Sequence, residues 1–276
     1  MGVTKTFILM TGLMVIFMFV GELLGGVDGM KTAFILACGI NLFSYFFSDK
    51  LVLAHYKAQR VTEDDRTGLY QIVRRLATQA NLPMPKVYII PDKVPNAFAT
   101  GRNPSHAAVA ANQGLLDLLS KEEIEGVLAH EMSHVKHRDI LIGSIAAILV
   151  SAITYISRIS SQSSKNRRNA LLVIFGVILM PIAASIIQMT ISRTREFAAD
   201  EGAARLTGHP EWLMSALSKL DNMSKQMPMQ RATPETAHMF IVNPLGNLSK
   251  SLAALFSTHP STEKRIARLA ELKKGL

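Results

Sequence analysis

The chain holds a single cysteine, Cys38, so it can form no internal disulfide and no thiolate-held metal cluster. Charge is scarce too: 18% of its 276 residues are Asp, Glu, Lys or Arg against 49% hydrophobic, which excludes a disordered chain. Aromatic residues make up 7%, and no basic stripe interleaved with aromatics accompanies the net charge of +9, so no nucleic-acid partner is expected. The basic residues are scattered or border apolar runs, where they meet lipid headgroups more naturally. Cys38 lies inside an apolar run and no serine stands near a base, so covalent acyl chemistry has no nucleophile. What the sequence has in quantity is long apolar stretches, and a mean hydropathy of +0.22 is high for a soluble chain of this length.

Four stretches read as apolar helices: Phe7 to Leu24, Thr32 to Ser48, Ile140 to Ser157 and Ala170 to Ile191. A bilayer core needs about 20 residues per helix, down to roughly 17. The first run is too long for a signal peptide and no small-residue cleavage site precedes the second, so it reads as a retained anchor. Glu22 beside Gly25 and Gly26 reads as interfacial. Lys5 before the first run, and Lys50, Lys57 and Arg60 after the second, put both ends of that hairpin on the cytoplasmic side. The later pair is less regular, because its loop carries Arg158, Lys165, Arg167 and Arg168 and no acid. Two arrangements fit it, a crossing pair and a shallow hairpin buried in protein.

The expected organisation has four parts: a transmembrane hairpin over 1–48, a first catalytic segment over 49–139, a second hairpin over 140–191 and a second catalytic segment over 192–276. The fold class expected is α+β, mainly α, with a small β-sheet. Helical spacing runs through Thr62 to Asn81, a short strand through Lys86 to Ile90, and two strands, Asn96 to Thr100 and His106 to Ala111, flank the turn signal Gly101-Arg102-Asn103-Pro104. Ser120 with Glu123 is a capping box opening a helix whose apolar face is Ile124, Val127, Leu128 and Val135. Further helices are expected over Glu196 to Leu206, Glu211 to Leu220 and Ser261 to Lys273. Between them Asp221 to Gly246 turns irregular and Met-rich, a candidate flap or a plain surface loop.

Chemistry concentrates in His130-Glu131-Met132-Ser133-His134. Residues four apart on a helix share a face, so both imidazoles can reach one ion while Glu131 borders the same site. Metal-activated water requires such a set: neutral nitrogen ligands and a carboxylate placed to take a proton. A catalytic zinc takes three protein ligands and leaves a position open. Glu196 is the candidate third ligand, because His134 precedes the third apolar run by about as many residues as Glu196 follows the fourth. At 1.5 Å per residue an antiparallel hairpin would hold both roughly 8 to 9 Å from its base. The alternative for Glu196 is a pair with Arg193 or Arg195. Asp200, one turn on, can accept the second ring N–H of a ligating histidine. His55, His106, His137, His209 and His238 lack a partner at ligand spacing and read as surface or structural.

The combination of His130-Glu131-Met132-Ser133-His134, then Ser192-Arg193-Thr194-Arg195-Glu196-Phe197-Ala198-Ala199-Asp200 after a hydrophobic hairpin, then Thr258-His259-Pro260-Ser261 with Arg265, resembles the HtpX membrane metalloproteases. These are relatives of the CAAX prenyl endopeptidases within the gluzincins. The resemblance implies one zinc held by His130, His134 and Glu196, Glu131 as base and proton shuttle, and Asp200 behind the ligands. It implies a multi-pass endopeptidase of the bacterial cytoplasmic membrane, its catalytic domain facing the cytoplasm, that clears misfolded or damaged membrane proteins under stress. Pro95-Asn96-Ala97-Phe98-Ala99 is similar to the gluzincin edge strand, so Asn96, Ala97 and Phe98 would bind substrate backbone by strand addition. His259 and Arg265 match the family's late motif, where such a side chain steadies the oxyanion. The rival from another class is a membrane scaffold that holds unfolded proteins and uses zinc structurally. Structural sites usually close with four protein ligands, and three are found here.

Overall fold

The computed structural model describes residues 2–145, 193–226, 241 and 260–275. Its first element is the apolar helix α1 (Gly2–His55), broken at Gly25 and Gly26, where Gly26 has φ 58° and Gly25 φ −146°. A turn was expected between the first two runs; two consecutive glycines supply one without a loop, since residues lacking Cβ reach such angles at little cost. The halves meet at Gly21 and Gly29, whose backbones leave no room for a Cβ, and Asn41 Nδ2 donates to the Met10 carbonyl at 3.2 Å.

Among the described residues one helix, Gly25–His55, is long and apolar enough to cross a bilayer. Its large side chains stand outward, Ile35 at 69% and Leu42 at 62% exposure, as lipid contact requires and water does not favour. The first run lies in the half of α1 that precedes the Gly25–Gly26 break, and within it Thr6–Phe19 is a shorter apolar helix. The second run continues past Ser48 to His55 because Val52 and Leu53 are buried against the sheet. Of the expected second hairpin only residues 140–145 are described; they are helical and largely buried, with Thr100 and Ser144 hydroxyls 2.6 Å apart.

Then follow β1 (Gln59–Val61), α2 (Leu69–Gln79), β2 (Lys86–Ile90), β3 (Ala97–Gly101), a 3-10 turn (Pro104–His106), β4 (Ala107–Asn112), α3 (Gln113–Leu118), α4 (Lys121–His137), α5 (Arg193–Thr207), α6 (Pro210–Gln226) and α7 (Thr262–Lys273). The helix expected from Thr62 begins only at Leu69. Asp65 accepts from the Thr67 and Tyr70 amides, making a local turn that competes with helix before Gly68 at φ 78°.

The sheet has the order β1-β2-β4-β3, with β2 and β4 parallel and the outer pairs antiparallel. Side chains alternate across it. Val87, Ala97, Val109 and Ala111 face one core with Leu69, Val73 and Leu76 of α2 and Val127, Leu128 and Met132 of α4. Phe98, Ile90, Ala108 and Ala110 face Val52, Leu53 and Tyr56 at the end of α1. The first core also takes Ala203, Ala204, Leu213, Leu217 and Leu269, so the segments on either side of 140–191 share one interior. β3 lies at a sheet edge beside α4.

Candidate metal centre and active site

α4 forms because its ends are well made. The Ser120 hydroxyl accepts from the Glu123 amide while the Glu123 carboxylate accepts from the Ser120 amide. The same carboxylate takes Ser215 Oγ at 2.6 Å and Lys219 Nζ at 2.8 Å from α6, so the cap also docks a neighbouring helix. At the other end Arg138 adopts φ 59°; the Arg138 amide donates to Val135 and the Asp139 amide to His134. That pair of bonds is a Schellman motif, which ends the helix and turns the chain back over its last turn.

His130 and His134 lie one turn apart with Nε2 atoms 3.2 Å from each other. Glu196 on α5 presents Oε2 3.6 Å from His130 Nε2 and Oε1 3.6 Å from His134 Nε2. All three ligating atoms fall within 4.8 Å of one another. Tetrahedral zinc with Zn–N near 2.0–2.1 Å separates its ligand atoms by about 3.3 Å, so the triangle has the right size for it. Two imidazoles and a carboxylate are also the donor types that suit this ion. The donors fit the metal.

Each histidine carries a carboxylate behind its other nitrogen. His130 Nδ1 lies 3.0 Å from Asp200 Oδ1, and Arg265 grips Asp200 through both oxygens at 2.6 and 2.9 Å. His134 Nδ1 lies 3.6 Å from Asp139 Oδ2, and Arg195 Nη1 holds Asp139 Oδ1 at 3.1 Å. Arg195 is therefore spent on Asp139. Burial opposes the charge on Asp200, but Arg265 and His130 overcome it and hold the carboxyl at about 2. Burial likewise works to lower His130; Asp200 and Glu196 outweigh it and lift the ring to about 9. At neutral pH the metal-free ring thus keeps a proton that an incoming ion displaces. Asp139 is lowered in the same manner, its burial overcome by His134 and Arg195.

Glu131 is 7% exposed, and its Oε2 accepts from the Ala99 amide at 2.9 Å. The bond from the Asn112 amide to the Asn96 carbonyl fixes the phase of β3: Asn96 and Phe98 bond toward β4, while Ala97 and Ala99 turn their backbone groups to the free edge. Of the expected substrate contacts, only Ala97 offers its backbone there. The Asn96 side chain accepts the Ile241 amide at 3.3 Å, and Phe98 is buried beneath Tyr56. Ala99, the last residue of the quoted motif, shares that orientation, and its amide is the one that Glu131 accepts.

Arg265, expected beside the reacting carbonyl, stands behind His130 instead. It is 1% exposed and donates to Asp200 and to the Ile241 carbonyl at 2.8 Å, with its Nη2 3.4 Å from His130 Nδ1. His259 lies outside the described residues, as do His238 and most of the expected flap; Ile241 is the described residue within 227–246. His106 hydrogen-bonds Arg102 and Asn103, and His209 stacks on Trp212. Asp139 was overlooked. The helix stop after His137 was its signal, because a Schellman turn swings the second residue past the cap back over the last turn.

The model of peptidase family M48 matches residues 63–273. The chain belongs to that family. As an M48 peptidase it is a metal-dependent protease, and its similarity to relatives runs nearly end to end. It is 60% identical to the Protease HtpX homolog of Campylobacter hominis, covering 99% of each chain. It is 56% identical to that of Campylobacter concisus over 100% of each, and 53% identical to that of Sulfurovum sp., covering 98% of this chain and 99% of the other. Among solved structures it resembles Ste24p of S. mikatae, with a TM-score of 0.56 and 18% identity, covering 94% of this chain and 62% of that one. At that identity the likeness speaks for the fold alone.

Proposed function

We propose that this M48 peptidase is a zinc-dependent endopeptidase of the bacterial cytoplasmic membrane, multi-pass and facing the cytoplasm, that cleaves misfolded or damaged membrane proteins in stress-related quality control. His130, His134 and Glu196 would hold the ion, with Glu131 as the base. The observation that carries the reading is the convergence of three ligand atoms, a carboxylate and a free strand edge at one point: Glu131 is bonded to the β3 edge at Ala99, one residue from the ligand His130. The two-hairpin arrangement and the four-part division of the chain belong to the same reading; the outward apolar face of Gly25–His55 supports the membrane part.

Zinc, when bound, polarises the scissile carbonyl and lowers the pKa of a water toward ~7. Glu131 then takes the proton of the attacking water and delivers it to the leaving amine. The outward backbone groups of Ala97 and the Ala99 carbonyl align an extended peptide as an added strand, reading its backbone and not its side chains, while the Ala99 amide holds Glu131. Such recognition suits substrates whose common property is being unfolded. Asp200 and Arg265 fix the His130 ring from behind.

The test compares detergent-purified wild type, loaded with zinc after chelator treatment, with Glu131→Gln on casein, measuring metal content in both. Removing a general base costs about 10²–10⁴ in rate, so the variant should hold one zinc and lose cleavage. Full activity in Glu131→Gln overturns the assignment. Zinc in both with cleavage in neither favours the scaffold reading.

A further inference from the structure

We propose that Asp139 and Arg195 are positioning residues for His134, forming a second carboxylate–arginine support that locks the ring with Nε2 toward the metal and ties it to the helix of the third ligand. The proposal rests on the metal reading of the site given above. It draws on three independent features. The first is local: the Schellman turn that ends α4 bonds the Asp139 amide to the His134 carbonyl at 3.0 Å, so one residue caps the helix with its backbone and meets the His134 ring with its side chain. Four residues lie between histidine and aspartate because the motif encloses that many between its bonded ends.

The second feature is burial. The Asp139 side chain is 9% exposed and that of Arg195 17%, so their contact at 3.1 Å is shielded from solvent, where a surface pair would hold little. The turn itself is anchored, since the next residue, Ile140, packs with Val135 and Ala107. The third is connectivity. Arg195 immediately precedes Glu196 on α5, so the guanidinium that orients Asp139 and the carboxylate that completes the ligand triangle leave the same turn of helix. A shift of α5 relative to α4 would disturb His134 and Glu196 together.

The arrangement parallels that of Asp200 and Arg265 behind His130 with a longer carboxylate–ring contact, 3.6 Å against 3.0 Å, and one guanidinium bond in place of two. A carboxylate on the distal ring nitrogen fixes the tautomer and strengthens the ligand, and its loss typically costs 10–100-fold in metal affinity. The experiment uses the full chain in detergent. Zinc affinity is measured by competition with a chromophoric chelator for wild type, Asp139→Asn, Arg195→Gln and Asp139→Glu, with the cobalt-substituted absorption spectrum and the metal-free thermal midpoint recorded alongside. Asp139→Asn should bind zinc roughly 10–100-fold more weakly and shift the cobalt spectrum, with partial recovery in Asp139→Glu. Arg195→Gln should move both in the same direction by less. A purely structural role would lower the thermal midpoint and leave the cobalt spectrum of the folded protein unchanged, which overturns the proposal, as does wild-type zinc affinity in Asp139→Asn. If Asp139→Asn does not fold, Arg195→Gln decides by the same readouts. A wild-type chain that binds no zinc removes the underlying metal reading and this proposal with it; equal binding by wild type and variants removes the positioning role alone.

Discussion

His130 and His134 sit one turn apart on one helix, yet they are supported in opposite ways. The His130 side chain is 2% exposed and leans on Asp200 and Arg265, which come from two other helices far along the chain. His134 is 16% exposed and meets Asp139 from the turn that ends its own helix, with only the arginine arriving from elsewhere. The deep histidine depends on tertiary assembly, whereas the shallow one depends mainly on local chain geometry. A ligand in the interior has no nearby chain end to draw on. One at a helix terminus can use the cap.

That contrast can be broken most severely at Arg265. Arg265→Met leaves the Asp200 carboxylate buried without its cation and should destabilise the protein by about 3–5 kcal/mol, read as a lowered denaturation midpoint. Asp200→Asn added to it should recover part of the loss, and failure to do so would show that Arg265 acts through Ile241 instead.

Metal affinity sharpens the comparison further. Asp200→Asn should weaken zinc binding by up to about 100-fold and more than Asp139→Asn does, because its contact to the ring is shorter and drier. Equal losses would mean that contact distance does not set the strength of support. pH offers a third handle. A histidine whose pKa is raised on folding adds stability that is complete below its unfolded value near 6.5 and is lost as pH climbs through its folded value of about 9. The thermal midpoint of chelator-treated protein should therefore fall between these limits, and the fall should vanish when zinc replaces the proton. A midpoint flat across that window would contradict the buried His130–Asp200 pair.

The smallest effect is expected at the far end of α4. Ser120→Ala removes one side of the capping box and should cost about 1 kcal/mol in denaturation while leaving zinc affinity untouched. Any loss of metal there would mean that the helix moves as a rigid rod and that neither support is local.

Much of this site could be read directly from residue order. The two histidines and Glu131 follow from helical periodicity, the cap from Ser120 and Glu123, and β2 was legible as Lys86–Ile90 to the residue. Short or context-made elements escaped notice. β1 has three residues and exists because β2 pairs with it, and α3 has six. Arg265 stands out in the sequence only through the late motif, since nothing in its own neighbourhood says that Asp200 and the Ile241 carbonyl await it.

By itself the sequence determined the chemistry available: a helix bearing two imidazoles and a carboxylate, a long apolar stretch holding Gly25 and Gly26, and a lone cysteine set inside such a stretch and away from any base. These follow from rules that act within a turn or two of chain. Only the tertiary structure decided which carboxylates stand behind which histidine, that Ala97 and Ala99 rather than Phe98 face the free edge, and that Arg265 braces the site from within. Those outcomes depend on packing α5 and α7 against α4, where contacts between distant residues are chosen by shape and by the cost of leaving a buried charge unpaired.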